Sequence, residues 1–215
     1  MATWMTHFRV ADKFIDIIGK DKLDLPCFIF GNIAPDCGIP NDDNLTYTPD
    51  KDISHFGHTS NRDYAAFREN YLEDKSDKES FSFYLGYYLH LLTDAEWVCK
   101  IARPAEKQFK DSFTDKSSFI CAIKTDWYDL DKLYLKKNPQ MRAFSIFSGM
   151  KSFANIYFNF FPSTAFDWQL NRIRSFYLAP AGNLNREYKY LTEAELDGFM
   201  NESLIDMTEE MVRVV

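Results

Sequence analysis

His90 and Asp94 stand four residues apart inside the run Phe83–Trp97, FYLGYYLHLLTDAEW. On a helix this spacing puts both side chains on one face, a turn apart. The run is apolar nearly all round, which is the pattern of a buried helix. A carboxylate turned inward is costly without a partner. Two arrangements would satisfy the pair: a metal ion, for which imidazole nitrogen and carboxylate oxygen are ordinary ligands, or a His–Asp hydrogen bond within a core.

The remaining histidines narrow the question. All four, His7, His55, His58 and His90, lie in the first 90 residues. His7 falls near the start of a first helix, beside Trp4 and Phe8. His55 and His58 end the long Asn/Asp/Thr/Pro-rich segment 39–57, which reads either as a solvated loop or as a functional one. Asp36 follows the apolar run PCFIFGNIAPD, at the break made by Pro35 and Gly38. Asp126 and Asp129 sit three apart in FICAIKTDWYDLDKLYL, which is either an ordinary amphipathic helix or a source of further carboxylate ligands. Two His and two Asp make a nitrogen–oxygen site suited to zinc, manganese or iron. If His7 also reaches Asp94, that carboxylate could bridge two ions, the arrangement common in phosphoester hydrolysis. GxSxG, GxxxxGK[ST] and GxGxxG are all absent, as is an adjacent His-Asp pair.

The elements that must position these residues read as all-α. Helices are expected from about His7 to Ile18, capped by Thr6 and stopped by Gly19, and from Pro26. Further helices are expected from a Ser60/Asp63 cap to Leu72 and from Ser76/Glu79 to near Cys99. Beyond them, helices are expected from Asp115–Ser118, from Pro139 through a long aromatic stretch to Pro162, from Ser163, and from a Thr192/Glu195 capping box to about Val212. No alternating strand pattern, internal repeat or Gly/Ser linker appears, so residues 1–215 are expected to form a single helical domain.

Composition sets the outer limits. A net charge of −7 argues against binding a nucleic-acid duplex or an anionic membrane surface. No stretch approaches the length of a transmembrane span, and MATWMTHFRV lacks a basic segment followed by an apolar run, so a cytoplasmic location is expected. Cys27, Cys37, Cys99 and Cys121 form no CxxC pair and are expected to be reduced and mostly buried. Aromatics at 17% imply a bulky core and aromatic walls to any pocket.

In order along the chain, His7 with FRVADKFIDII, GNIAPD ending at Asp36, His55-Phe56, and GYYLHLLTD with His90 and Asp94 resemble the zinc-dependent phospholipase C family. Its helical fold is shared with single-strand-specific nucleases. The resemblance covers roughly the first 100 residues and implies a single-domain multi-helix bundle. It also implies that Asp36, His55, His90 and Asp94 hold one zinc ion, that His7 and Asp94 contribute to a second, and that Asp36 serves as general base. The implied activity is phosphodiester hydrolysis by metal-activated water, on a small phosphoester or a phospholipid headgroup.

The departures are specific. The family's amino-terminal tryptophan ligand has no direct counterpart, because Trp4 is internal. No histidine follows His90, and Lys100 stands about where the family's next one falls. WYD at Trp127–Asp129 takes the place of a later carboxylate, which makes Asp129, with Asp126, possible ligands. His58 has no family role. A non-catalytic, metal-binding descendant is the alternative that these departures raise.

Overall fold

A computed structural model of the chain describes residues 1–43, 45–57 and 63–215. It is built from helices α1 (Trp4–Ile18), α2 (Leu25–Gly31), α3 (Lys51–Ser54), α4 (Tyr64–Tyr71), α5 (Lys78–Trp97) and α6 (Arg103–Phe109). These are followed by α7 (Lys116–Lys137), α8 (Arg142–Gly149), α9 (Ala165–Leu178) and α10 (Glu193–Val214). The all-α expectation holds. The exception is a two-residue hairpin within the 39–57 segment, β1 (Ile39–Pro40) against β2 (Tyr47–Thr48), where no strand was expected.

Helix α5 is buried along most of its length and is packed by α1, α2, α4 and α10. Its closest neighbour is α2, and the approach depends on two glycines. A Cβ on Gly86 would sit 2.0 Å from the carbonyl oxygen of Phe28, and one on Gly31 equally close to that of Phe83. With no side chain at either place, the two backbones touch directly. Four residues beyond each end of the Phe28–Gly86 contact stand Asn32 and His90, so the crossing fixes how those two meet.

Several boundaries move, each for a local reason. Helix α1 starts at Trp4 because Thr3, not Thr6, accepts the capping bond from the Thr6 amide, which puts His7 inside the helix and wholly buried. Asp77 caps α5 instead of Ser76. Helix α5 passes into a π-helical turn, Val98–Ala102, before Pro104 enters α6. Asp63 caps α4; Ser60 lies outside the described residues.

The largest correction is the aromatic stretch after Pro139. Helix α8 begins only at Arg142, where Asp12 of α1 accepts from the Arg142 guanidinium and the Ala143 amide, and it ends at Gly149. Beyond it, side chains take over the bonds that a helix would make. Asn155 accepts from the amides of Tyr157 and Phe158 and donates to the carbonyl of Phe158, Asp167 accepts from the Phe153 amide, and Arg174 donates to the carbonyl of Met150. The irregular path lays Tyr157 flat on Phe83 at 3.7 Å and Phe153 on Phe30 at 4.0 Å, covering the α2–α5 pair. The cysteines are all free, but only Cys27 and Cys37 are buried; Cys99 and Cys121 are exposed because they lie on outward faces of their helices.

Asp131 of α7 ties the start of α1 into the bundle. It accepts from Thr3 Oγ1 at 2.7 Å and from the Tyr177 hydroxyl at 2.8 Å, and that hydroxyl in turn accepts from the Met5 amide. Burial pushes the Asp131 carboxyl up to about 7, against the lowering effect of Thr3, Tyr177 and Arg9.

Two outcomes follow. Gly86→Ala should destabilise the protein by about 3 kcal/mol in denaturant unfolding, because a methyl group must displace backbone; an unchanged midpoint would show that the crossing can spread at no cost. For Asp131, a folded-state pKa above the unfolded value means stability that is present in acid and lost as pH rises towards 7. Asp131→Asn should therefore gain on the wild type as pH rises from about 4 to 7, by at most about 4 kcal/mol, and hold that gain above pH 7. Parallel melting curves for the two proteins across that window would contradict this.

Candidate metal centre

Four elements bring five of the sequence-identified residues together. Helix α1 supplies His7, the 3₁₀ turn Ala34–Asp36 after α2 supplies Asp36, the end of α3 supplies His55, and α5 supplies His90 and Asp94. Two overlapping groups result, His7–His90–Asp94 and Asp36–His55–His90, each with one ligand atom per residue within 4.8 Å of the others.

Asp94 lies between three imidazoles. Its Oδ1 is 3.5 Å from His7 Nε2, and its Oδ2 is 3.6 Å from His55 Nε2 and 3.7 Å from His90 Nε2. Asp36 Oδ1 lies 3.7 Å from His55 Nε2. These separations are longer than good hydrogen bonds. They match the roughly 3.3–3.6 Å between neighbouring ligand atoms held tetrahedrally at 2.0–2.2 Å from zinc. His7, His90 and Asp94 are completely buried. Among the described residues, neither nitrogen of His7 nor Nε2 of His90 makes a hydrogen bond. Buried polar nitrogens without a partner call for an explanation, and a cation between them is the one that this donor set fits.

The outer atoms of the ligands are held in turn. His90 Nδ1 faces the carbonyl of Asn32 at 3.0 Å, the contact that the α2–α5 crossing sets up. His55 Nδ1 lies 3.0 Å from the carbonyl of Lys51 and from Ser54 Oγ. A carbonyl accepts from Nδ1–H, which leaves Nε2 as the lone pair directed inward. Asn32 also donates from Nδ2 to the carbonyl of His7 at 2.7 Å, joining α1 to the same point. Asp36 Oδ2 accepts from the Trp4 indole at 3.0 Å, and Asp94 Oδ1 accepts from the Ala2 amide at 2.7 Å.

Electrostatics favour the ligand forms. Desolvation holds the His90 imidazole well below its usual pKa, helped by His7 and His55, so it stays neutral. The rings of His7 and His90 stack in parallel with centroids 3.8 Å apart. Desolvation opposes ionisation of Asp94, but the nearby amino-terminal charge, His7 and His90 outweigh it and keep the carboxyl well below the usual range.

The remaining sequence candidates are elsewhere. Asp126 and Asp129 both hold Arg186, at 2.7 Å each, and Asp126 also accepts from the Tyr190 amide. They belong to neither group and serve to fasten the 180–190 segment onto α7. His58 lies outside the described residues. Sequence reasoning did not identify Asn32, whose side chain and carbonyl both serve the site. GNIAPD contains it, but an asparagine at a helix end reads as a cap.

Beside Asp36 opens a cleft of about 370 Å³, walled by Trp4, Tyr47, Ile120, Ile123, Trp127 and Tyr128 among others. The expectation of aromatic pocket walls is met. Among the described residues no helix is long and apolar enough to cross a membrane.

Residues 6–97 match the family model of zinc dependent phospholipase C, a stretch that takes in His7, Asp36, His55, His90 and Asp94 and ends just past the last of them. No curated protein and no solved structure matches the chain. The resemblance read from the sequence is thus supported over the same residues that build the cluster.

Zinc should raise the melting temperature of chelator-treated protein, by about 2.7 kcal/mol of stability at a free concentration one hundred times Kd. His90→Ala and Asp94→Asn should abolish the gain and lower zinc per chain in elemental analysis. No uptake by the wild type, even with zinc or manganese added back, would mean that the cluster is internal packing alone.

Proposed function

We propose that the chain is a zinc-dependent phosphoesterase that hydrolyses a phosphodiester, with all 215 residues acting as one helical unit. The observation that carries this reading is the double position of Asp36. Its carboxylate belongs to the Asp36–His55–His90 group and also lines the open cleft, where a substrate could reach it. In this reading His7, Asp36, His55, His90 and Asp94 hold one or two ions, with Asp94 between the two groups. A bound ion supplies Lewis acidity towards phosphoryl oxygens and a more acidic water.

The chain's own residues do the rest. Asp36 Oδ1 faces the ligand histidines while Oδ2 accepts from Trp4. Trp4 thus fixes the plane of the carboxylate that takes the proton from the attacking water. Rigid orientation of such a base is worth far more than its basicity alone. His90 and His55 are turned by the carbonyls of Asn32 and Lys51, so that neither ring has to reorient during turnover. No side-chain nucleophile is required.

The family match stops at residue 97, and no histidine follows His90. A second reading, a metal-binding descendant without catalysis, rests on that. The two part at Asp36→Asn, which can still accept from Trp4. As a base, its loss should lower kcat on bis(4-nitrophenyl) phosphate by about 10²–10⁴ while the fold is kept. Wild-type protein that takes up zinc but cleaves no diester would favour the second reading, and unchanged kcat in Asp36→Asn would remove that residue from the chemistry.

A further inference from the structure

The cleft beside Asp36 is charged opposite to the molecule as a whole. The chain carries −7, yet the cleft is lined by Lys51, Lys116, Lys124 and Arg172 against only two carboxylates, Asp36 and Glu106. Asp36 also belongs to the Asp36–His55–His90 group. Among the described residues none of the four cations forms an ion pair. Arg172 lies over the rings of Trp4 and Trp168, and Lys51 over Tyr47, at 5.0–5.3 Å.

Among the described residues Lys124 has neither an ion-pair partner nor a ring beneath it. It projects from α7 in the series Ile120, Ile123, Lys124, Trp127, the i, i+3, i+4, i+7 spacing of one helix face, and all four line the cleft. Lys51 comes from a different element, α3, where its carbonyl already orients His55. Lys124 and Lys51 both reach solvent at the mouth of the cleft. Partial desolvation, then repulsion from Lys51, lowers the Lys124 pKa, with Asp36 opposing. Lysines that line one cleft without carboxylate partners are relieved by an anion bound among them. The cleft is also large enough to hold a small ligand beyond its scissile phosphate.

Resting on the phosphoesterase reading, we propose that the substrate is a phosphodiester bearing a second anionic group, phosphate or carboxylate. Lys51 and Lys124 hold that group, and the organic body lies against Ile120, Ile123 and Trp127. Lys51 and Lys124 are then determinants of specificity, and a cationic headgroup is disfavoured by the same charges.

The test compares zinc-loaded protein on 4-nitrophenyl 2-carboxyethyl phosphate and its uncharged amide, 4-nitrophenyl 2-carbamoylethyl phosphate. Wild-type KM should be at least tenfold lower for the carboxylate, and Lys124→Met and Lys51→Met should each cut that ratio to about twofold or less. A 2-(phosphonooxy)ethyl ester run alongside tells which anion fits better, and its advantage must fall in the same variants. Equal KM values for acid and amide in the wild type, or a ratio that survives both substitutions, would overturn the proposal while leaving the hydrolase reading intact. If no diester is cleaved, the hydrolase reading fails separately, and calorimetric titration with 2-carboxyethyl phosphate decides the anion site. Tenfold weaker binding to Lys124→Met supports it, and no binding to the wild type ends it.

Discussion

The contact on which the rest depends is backbone against backbone, where α2 crosses α5 at Gly31 and Gly86. Contacts made through side chains can repack to accept small changes in distance. This pair has no such compliance. Its rigidity sets the position of the Asn32 carbonyl against His90 Nδ1, and through Asn32 Nδ2 the position of His7 on a third helix. A ligand cluster needs its atoms placed to a fraction of an ångström. A direct backbone contact supplies that accuracy more economically than a shell of interlocking side chains. The aromatic layer above it, with Phe153 on Phe30 and Tyr157 on Phe83, then excludes water from the crossing.

Burial makes the cluster chemically distinct from an ordinary surface group of histidines. Of the fully buried ligands, desolvation keeps His90 neutral, and the neighbouring positive and imidazole groups keep Asp94 ionised. That is the protonation state in which both atoms are donors to a cation. Among the described residues both nitrogens of His7 and Nε2 of His90 make no hydrogen bond, which is the condition a bound cation would relieve. Water-filled surface clusters of the same residues would carry no such signal, because solvent would satisfy each atom.

What could be read from the sequence follows from which interactions are local. The i, i+4 pair on α5, the capping box at Thr192 and Glu195, and the glycine that ends α1 are set by neighbours in the chain, and all are found as expected. The order of His7, Asp36, His55, His90 and Asp94 carried the family resemblance because it samples four elements at once. The failures are tertiary. The stretch after Pro139 has helical composition, but Asp12, Asp167 and Arg174, each distant in sequence, capture its backbone groups instead. Asp126 and Asp129 have the spacing of ligands, and only the approach of Arg186 from 57 and 60 residues away shows them to be otherwise engaged. Asn32 orients His90 through its backbone carbonyl, an atom that every residue has and that no residue-type pattern reveals.

The segment that carries His55 is held at both of its ends and not in its middle. On one side, the Asp50 cap and the Lys51 carbonyl set the ring; on the other, Phe56, in the left-handed region at φ 53°, drives its own ring against Phe67 and Tyr87. Further out, the short β1–β2 ladder closes the loop at its base, and Asp43 gathers the exposed turn by accepting from the amides of Leu45 and Thr46. The turn is thereby insulated from the ligand. Asp43 and Leu45 are exposed and neither lines the cleft, so a change at either leaves the anchoring of the histidine untouched.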